Sequence, residues 1–263
     1  MIQLRQHVNT NGNGLYIDYM RDERIVLKRK KGHKMTYQEV LEKAKGQMGP
    51  YCQACAVCSG HACGNRIPGP GAKGSGDTAI RNFEKWREIR VKMDTVGGSG
   101  AADTSAEFFG KTFRYPYFAG PMAGVKSSYG DKYSDKDYYD IVVKSCRDNG
   151  IASFTGDGPD PAFHESGVSA VAAAGGIGIP TIKPWNMQTV KDKIDLCKKA
   201  GSFAIAMDID AAAVPFIRNT TPPGGSKTVS ELKEIIGYAE VPFILISSFI
   251  ISRAVKSAQC QHA

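Results

Sequence analysis

The sequence predicts an α/β fold of the (β/α)8 TIM-barrel type, incomplete at about five βα units, behind an N-terminal helical and Cys-rich extension. Three observations predict it. After Phe113, short apolar runs of strand length alternate with amphipathic segments of helical period. The first run lacks the GxGxxG turn of a dinucleotide-binding open sheet. Polar residues gather at the ends of several different runs, where the loops of a barrel mouth stand. Periodicity alone leaves open sheet and barrel undecided; the last two observations favour the barrel.

Residues 1–34 are polar and Asn/Gly-punctuated, then basic from Arg24 to Lys34, with no sustained period. They read as an atypical basic segment. From Met35 onward, Thr36 and Glu39 stand at capping-box spacing, and Tyr37, Val40, Leu41, Ala44 and Met48 share one stripe, which predicts a helix. The Cys- and Gly-rich stretch Gly49 to Gly76 breaks regular structure. Asp77 or Thr78 caps a second helix reaching about Met93, and a Gly/Ser linker follows at Gly97 to Gly100. Residues 35–112 therefore form the extension and 113–263 the partial barrel.

The predicted strands are 115–124, 151–158, 178–185, 202–210 and 241–247, each a buried parallel strand opening into a loop at its C-terminal end. Ser134 precedes a helical stripe of Tyr138, Ile141, Val142 and Cys146 that stops at Gly150; Asn186 precedes Met187, Val190, Ile194 and Cys197, stopping at Gly201. Thr228 and Glu231 repeat the capping box before Leu232, Ile235, Ile236 and Ala239. PDPAFHESG, after the second strand, reads as a loop carrying a solvated His164, with Asp157 and Asp160 in turn steps. Gly175, Gly176 and Gly178 precede a strand and read as a turn, not a phosphate loop. Three further units would need on the order of 90 residues at about 30 per unit. The chain ends at Ala263 and is therefore expected to be truncated, with unpaired strand edges that drive self-association into a homo-oligomer.

With 42% hydrophobic and 23% charged residues, the composition excludes disordered, collagenous and small disulfide-stapled classes. The longest apolar stretch, Val241 to Ile251, is broken by two serines and falls short of the roughly 20 residues a spanning helix needs, so no membrane span is expected. The N-terminus lacks the apolar block of a secretory signal, which predicts a cytoplasmic protein with reduced thiols. Much of the net charge of +8 sits in the run Arg24 to Lys34, a solvated segment and not a phosphate-tracking face, so nucleic acid is not an expected partner.

Cys52, Cys55, Cys58 and Cys63 form CxxCxxCxxxxC. Thiolates at this density bind soft or borderline metals, which predicts a 4Fe–4S cluster or zinc. The last spacing exceeds that of the ferredoxin run and no Cys-Pro ending follows, so cluster and zinc both stay open beside reduced thiols or a redox disulfide. A cluster would serve an electron-acceptor protein as partner. Cys146 and Cys197 lie on helical stripes and read as core, as do Trp86 and Trp185; His61 reads as solvent-facing.

TFRYPYFAGPMAG, ASFTGDG, IPTIKPW, AIAMDIDAAAVPF and PPGGSKTVSEL, together with CQACAVCSGHACGNRIPGPGAKGSGDTAIRNFEKW upstream, resemble the FMN-dependent α-hydroxy-acid dehydrogenase/oxidase family, most nearly its anaerobe-type branch with a Cys-rich N-terminal extension. The resemblance covers about Met35 to Leu245. It implies FMN across the C-terminal mouth of the barrel and hydride transfer to it from a small 2-hydroxy acid of the lactate or glycolate kind, with a histidine as base. It places Pro121, Met122 and Ala123 against the flavin ring, and gives Thr155 a hydroxyl contact to the flavin's polar edge with Gly156 leaving space. It also places Thr181 and Lys183 toward flavin and substrate, Lys183 being the catalytic candidate, and makes Asp208, assisted by Asp210, the acidic position. The family's flavin-stabilising lysine on the fifth strand has no counterpart at Ile246 and Ser247, and ISSFIISRAVKSAQCQHA holds no His-Gly-Gly-Arg segment for base and carboxylate-binding arginine. The chain alone is therefore expected to be catalytically incompetent. The alternatives are an enzyme like the flavin-dependent isopentenyl-diphosphate isomerase, and a noncatalytic metal- or iron–sulfur-binding fragment.

Overall fold

The computed structural model describes residues 35–48, 52–63, 77–90, 96–97, 100, 102–213 and 215–246. The basic segment 1–34 and the tail after Ile246 lie outside the described residues. The chain divides into two compact units, Met1–Val40 and Leu41–Ala263. In the first, Thr36 and Glu39 form the expected capping box: the Glu39 N–H donates to Thr36 Oγ1 at 3.2 Å and the Thr36 N–H to Glu39 Oε2 at 2.7 Å. That box opens helix α1 (Tyr37–Lys45).

In the second unit, α2 (Asp77–Glu88) ends short of Met93, and Trp86, expected to pack, is 75% exposed on it. An antiparallel hairpin follows, β1 (Ala106–Phe108) and β2 (Lys111–Phe113). Its two turn residues, Phe109 and Gly110, both lie at positive φ, 52° and 73°, as a two-residue hairpin turn of the I′ kind requires. Phe-Gly is not the Asn-Gly signal of such turns, so the sequence does not announce the hairpin.

The main sheet is parallel, in the order β3 (Phe154–Thr155), β4 (Ile179–Ile182), β5 (Ile205–Asp208), β6 (Phe243–Ile246). Its crossovers are the helices α5 (Pro161–Ala173), α6 (Met187–Lys199) and α8 (Val229–Ala239). Ahead of it stand α3 (Val125–Tyr129) and α4 (Asp135–Asp148), and after β5 a 3-10 turn (Ile209–Ala213) and α7 (Pro215–Arg218). The strand expected over 115–124 shrinks to one parallel bridge, Ala119 to Ser153. Pro121 stands at the next ladder position and has no N–H to give, so pairing cannot spread from Ala119 toward the C-terminal end. Four strands and this bridge form an arc of a barrel that stays open among the described residues, the incomplete βα architecture the sequence predicts.

The segment after the second strand is a helix, α5, and not the expected loop. Asp160 caps it, its carboxylate accepting from the Ala162 N–H at 2.9 Å, and Pro161 occupies the first turn. Glycine inside α5 has a specific use: a Cβ on Gly167 would stand 2.6 Å from Thr155 Oγ1, so only glycine lets helix and strand approach this closely.

Strand alternation divides the core into two faces. Ile182, Ile205, Met207 and Phe243 pack outward against Val190, Ile194 and Cys197 of α6 and Ile235 and Ala239 of α8. The neighbours in sequence, Ala204, Ala206, Ile244 and Ile246, face the barrel interior with Ile179, Phe154 and the hairpin aromatics Phe108 and Phe113. Phe113 meets Phe203, just before β5, with ring centroids 5.6 Å apart, so the hairpin plugs the N-terminal end of the strands. The opposite, C-terminal end is left to the polar residues. Among the described residues no helix is long and apolar enough to cross a membrane.

Candidate functional site

Thr181 shares the interior-facing parity of Ile179, and the register Thr181 to Ala206 sets Lys183 beside Asp208 where the two strands run out. The Lys183 ammonium meets Asp208 Oδ2 at 3.1 Å, with the side chains only 11% and 18% exposed. Thr181 is buried and its Oγ1 has no hydrogen-bond partner.

The segment Pro121 to Ala123 lies against the end of β3. A Cβ on Gly156 would stand 2.5 Å from the Met122 carbonyl carbon and oxygen and 2.8 Å from the Ala123 nitrogen, so this glycine allows backbone to touch backbone. Helix α4 fixes the segment from behind. The Tyr139 hydroxyl donates to the Met122 carbonyl and accepts the Gly156 N–H at 3.1 Å, which ties the two strand ends together. Asp135, one turn earlier, accepts from the Gly124 N–H at 2.7 Å and the Val125 N–H at 3.2 Å. Burial raises the Asp135 carboxyl above its ordinary range, offset in part by those two amide bonds. Burial likewise raises the Tyr139 phenol, which stays a donor. The expected stripe of α4 holds at Cys146, which is buried, but centres on Tyr139 and Val143, both fully buried, whereas Ile141 is 54% exposed.

Pro121, Met122, Ala123, Gly156, Thr181, Lys183 and Asp208 thus stand at the C-terminal ends of successive strand positions. Thr155 does not present its hydroxyl to that mouth. Its side chain packs outward against Gly167, because it has the opposite parity from Phe154.

Sequence reasoning missed two polar groups behind the strand ends. Asp157 is no turn residue: its side chain is fully buried and accepts four donors, the Gly158 N–H and Lys193 Nζ on Oδ1, and the Lys183 N–H and Trp185 Nε1–H on Oδ2. Trp185 is packing, as expected, but also a donor to this carboxylate at 2.6 Å. His164 is no solvated loop residue either. It is fully buried on α5, with Nε2 3.7 Å from Cys197 Sγ and Nδ1 unpartnered. Burial, with a smaller opposing pull from Asp157, brings its pKa down to about 4. Burial pushes the Cys197 thiol up to about 12, consistent with the packing role expected of it. The signals available were Asp160-Pro161 as cap and first helical residue, and the apolar run from Val168 to Ala174 that follows.

The Cys-rich loop does not assemble the expected cluster or zinc site. Among the described residues no group of three His, Cys, Asp or Glu side chains could hold a metal ion, and Cys52, Cys55, Cys58 and Cys63 are free. The loop is coil and turn, with local contacts such as Cys63 Sγ to the Gly60 carbonyl at 3.7 Å.

Known structures share this arrangement of strands. A double mutant of flavocytochrome b2 with pyruvate bound matches at a TM-score of 0.52 and 12% identity, over 81% of this chain and 58% of that one. An arginine-to-lysine mutant of flavocytochrome b2 matches at 0.53 and 13%, over 78% and 57%. A glycine-to-alanine mutant of an active chimera of (S)-mandelate dehydrogenase matches at 0.52 and 9%, over 79% and 63%. At these identities the likeness establishes the fold, and the chain spans less than two thirds of the length of each. A search of curated proteins gives no match. The sequence model of one family, FMN-dependent dehydrogenase, matches residues 70–232, more than half of the chain and all of the strand ends from Pro121 to Asp208. By that match the chain belongs to the FMN-dependent dehydrogenase family.

Proposed function

We propose that the mouth formed by the strand ends holds FMN and that the chain carries the flavin side of an oxidation of a small 2-hydroxy acid to its 2-oxo acid. The observation that carries this reading is the buried Thr181 hydroxyl, unpartnered on the interior face of β4, beside the Lys183 and Asp208 ion pair. A buried hydroxyl left without a partner costs about 1–3 kcal/mol, and a polar heterocycle laid over it removes that cost. The residues present fit the group: a backbone edge at Met122 and Ala123, glycine at 156, one free hydroxyl, one cation and one carboxylate.

Held by Pro121, Met122, Ala123, Thr181 and Lys183, an FMN ring would supply a hydride acceptor for the α-carbon of the acid, whose hydroxyl proton would pass to a base. The chain's own residues hold and orient. Pro121, Met122 and Ala123, fixed by Tyr139 and Asp135, form a rigid wall for a planar ring. The Thr181 hydroxyl is free to hydrogen-bond the ring's polar edge. Lys183 offers an ammonium whose field on negative charge is moderated by Asp208 at 3.1 Å, so approach of an anionic group competes with that carboxylate. The known structures that share this fold include one that holds pyruvate, a 2-oxo acid, which supports the substrate class.

Reconstitution with FMN under anaerobic conditions tests the reading in two stages. Bound flavin is expected from the change in its absorbance and the quenching of its fluorescence. Bleaching on addition of lactate, glycolate or mandelate would then report turnover. Absence of bound flavin overturns the proposal; binding without bleaching confines it to the cofactor half.

A further inference from the structure

We propose that Asp157 is a positioning residue of this site: it locks the backbone at Lys183 so that the Lys183 ammonium is held against Asp208. The inference deepens the reading of the strand-end mouth and rests on it. The ladder between β4 and β5 ends at Ile182 and Met207, so the β5 register reaches no further than the residue before Lys183. Asp157 supplies what the sheet does not. Its Oδ2 accepts the Lys183 N–H at 2.9 Å, the Lys183 carbonyl accepts the Trp185 N–H at 2.8 Å, and the Trp185 indole N–H returns to the same Oδ2 at 2.6 Å. Both backbone groups of Lys183 are thereby fixed within one closed ring of hydrogen bonds. The other oxygen, held by Gly158 at 2.9 Å and Lys193 at 3.0 Å, stops the carboxylate from rotating out of that ring.

The arrangement is specific because a buried carboxylate is costly unless every lone pair is used and a counter-charge is near. Asp157 meets both conditions, and two of its four donors belong to the turn that carries Lys183. Asparagine at 157 has one acceptor oxygen and an NH2 in place of two acceptors; the oxygen stays on the Lys193 ammonium, so the N–H groups turn against the Lys183 and Trp185 donors.

The test uses the full chain in a Trp86→Phe background, so that Trp185 is the sole tryptophan, and reads the rate of acetylation of each lysine by mass spectrometry. Asp157→Asn should shift Trp185 emission and speed labelling of Lys183 roughly tenfold, the factor expected for one lost hydrogen bond to a charged group, with Lys191 and Lys198 unchanged. Lys193→Arg, which keeps a counter-charge on Oδ1 and the Oδ2 bonds in place, should leave the Lys183 rate at its wild-type level. An unchanged Lys183 rate beside shifted Trp185 emission overturns the proposal, as does an equal rise at all lysines in both variants, which marks general loosening. If Asp157→Asn does not fold, the double variant Asp157→Leu/Lys193→Met, which removes both buried charges and both acceptor oxygens, takes its place. Wild-type hydrogen exchange at the Lys183 amide and the Trp185 indole is an independent check: protection like that of β4 supports the ring, and free exchange refutes it. FMN binding by the wild type is measured in parallel; its failure counts against the flavin reading and leaves the result for Lys183 standing.

Discussion

His164 is sealed between α5 and α6, where burial keeps its imidazole neutral. With a folded pKa of about 4 against 6.5 for the free side chain, the unfolded chain takes up a proton between those values and the folded chain does not. Stability conferred by the neutral ring is therefore complete above pH 6.5 and falls as pH drops toward 4, by about 3 kcal/mol at most at 1.36 kcal/mol per pH unit. Urea unfolding at pH 7 and pH 4.5 measures this. His164→Gln should lose markedly less stability between the two values than the wild type, and equal losses would contradict the assignment. Lys193 and Asp157, paired at 3.0 Å, and the Cys197 thiol at 3.7 Å from Nε2 stand close to the same ring.

At the scale of elements, α4 matters more to the site than its surface position implies. Tyr139 bridges Met122 and Gly156 through its hydroxyl, so Tyr139→Phe should cost about 1–3 kcal/mol, the range for an orphaned buried amide or carbonyl, and should loosen the 121–123 wall. Chemical denaturation gives the cost, and faster hydrogen exchange at Gly156 gives the loosening; an unchanged Gly156 would refute the bridge. The helices most legible from sequence, α4, α6 and α8, each carry a side-chain cap: Ser134, Asn186 and Thr228 accept the N–H groups expected of them. Their residue spacing shows because one face is apolar and the other charged. Helix α5 was hidden because it is alanine-rich and apolar on most sides, and because Asp-Pro is shared by turns and helix starts. The 115–124 run departs in the opposite direction: Phe118 packs, but Tyr117 is 59% exposed and Pro121 denies the run a ladder. Lys183 and Asp208 were legible because they close apolar runs. Asp157 was not, since nothing local distinguishes an Asp-Gly turn from a carboxylate whose partners lie 26 to 36 residues away.

For the whole molecule, the parallel sheet ends on β6, whose far edge has no strand partner among the described residues. The interior face of that edge carries Ile244 and Ile246, only partly buried, beside Phe154. Exposed parallel edges with apolar faces pair with one another. Sedimentation should therefore show a mass that rises with protein concentration, and a monodisperse monomer with one cooperative melting transition would contradict it.

The central claim is that the ends of these strands make one cradle for a flavin ring. A crystal structure of the chain grown with FMN tests it most directly. The ring should lie along Met122 and Ala123 with its polar edge on the Thr181 hydroxyl and Lys183 within reach. A ring bound elsewhere, or a Thr181 hydroxyl still unpartnered beneath it, would contradict the claim.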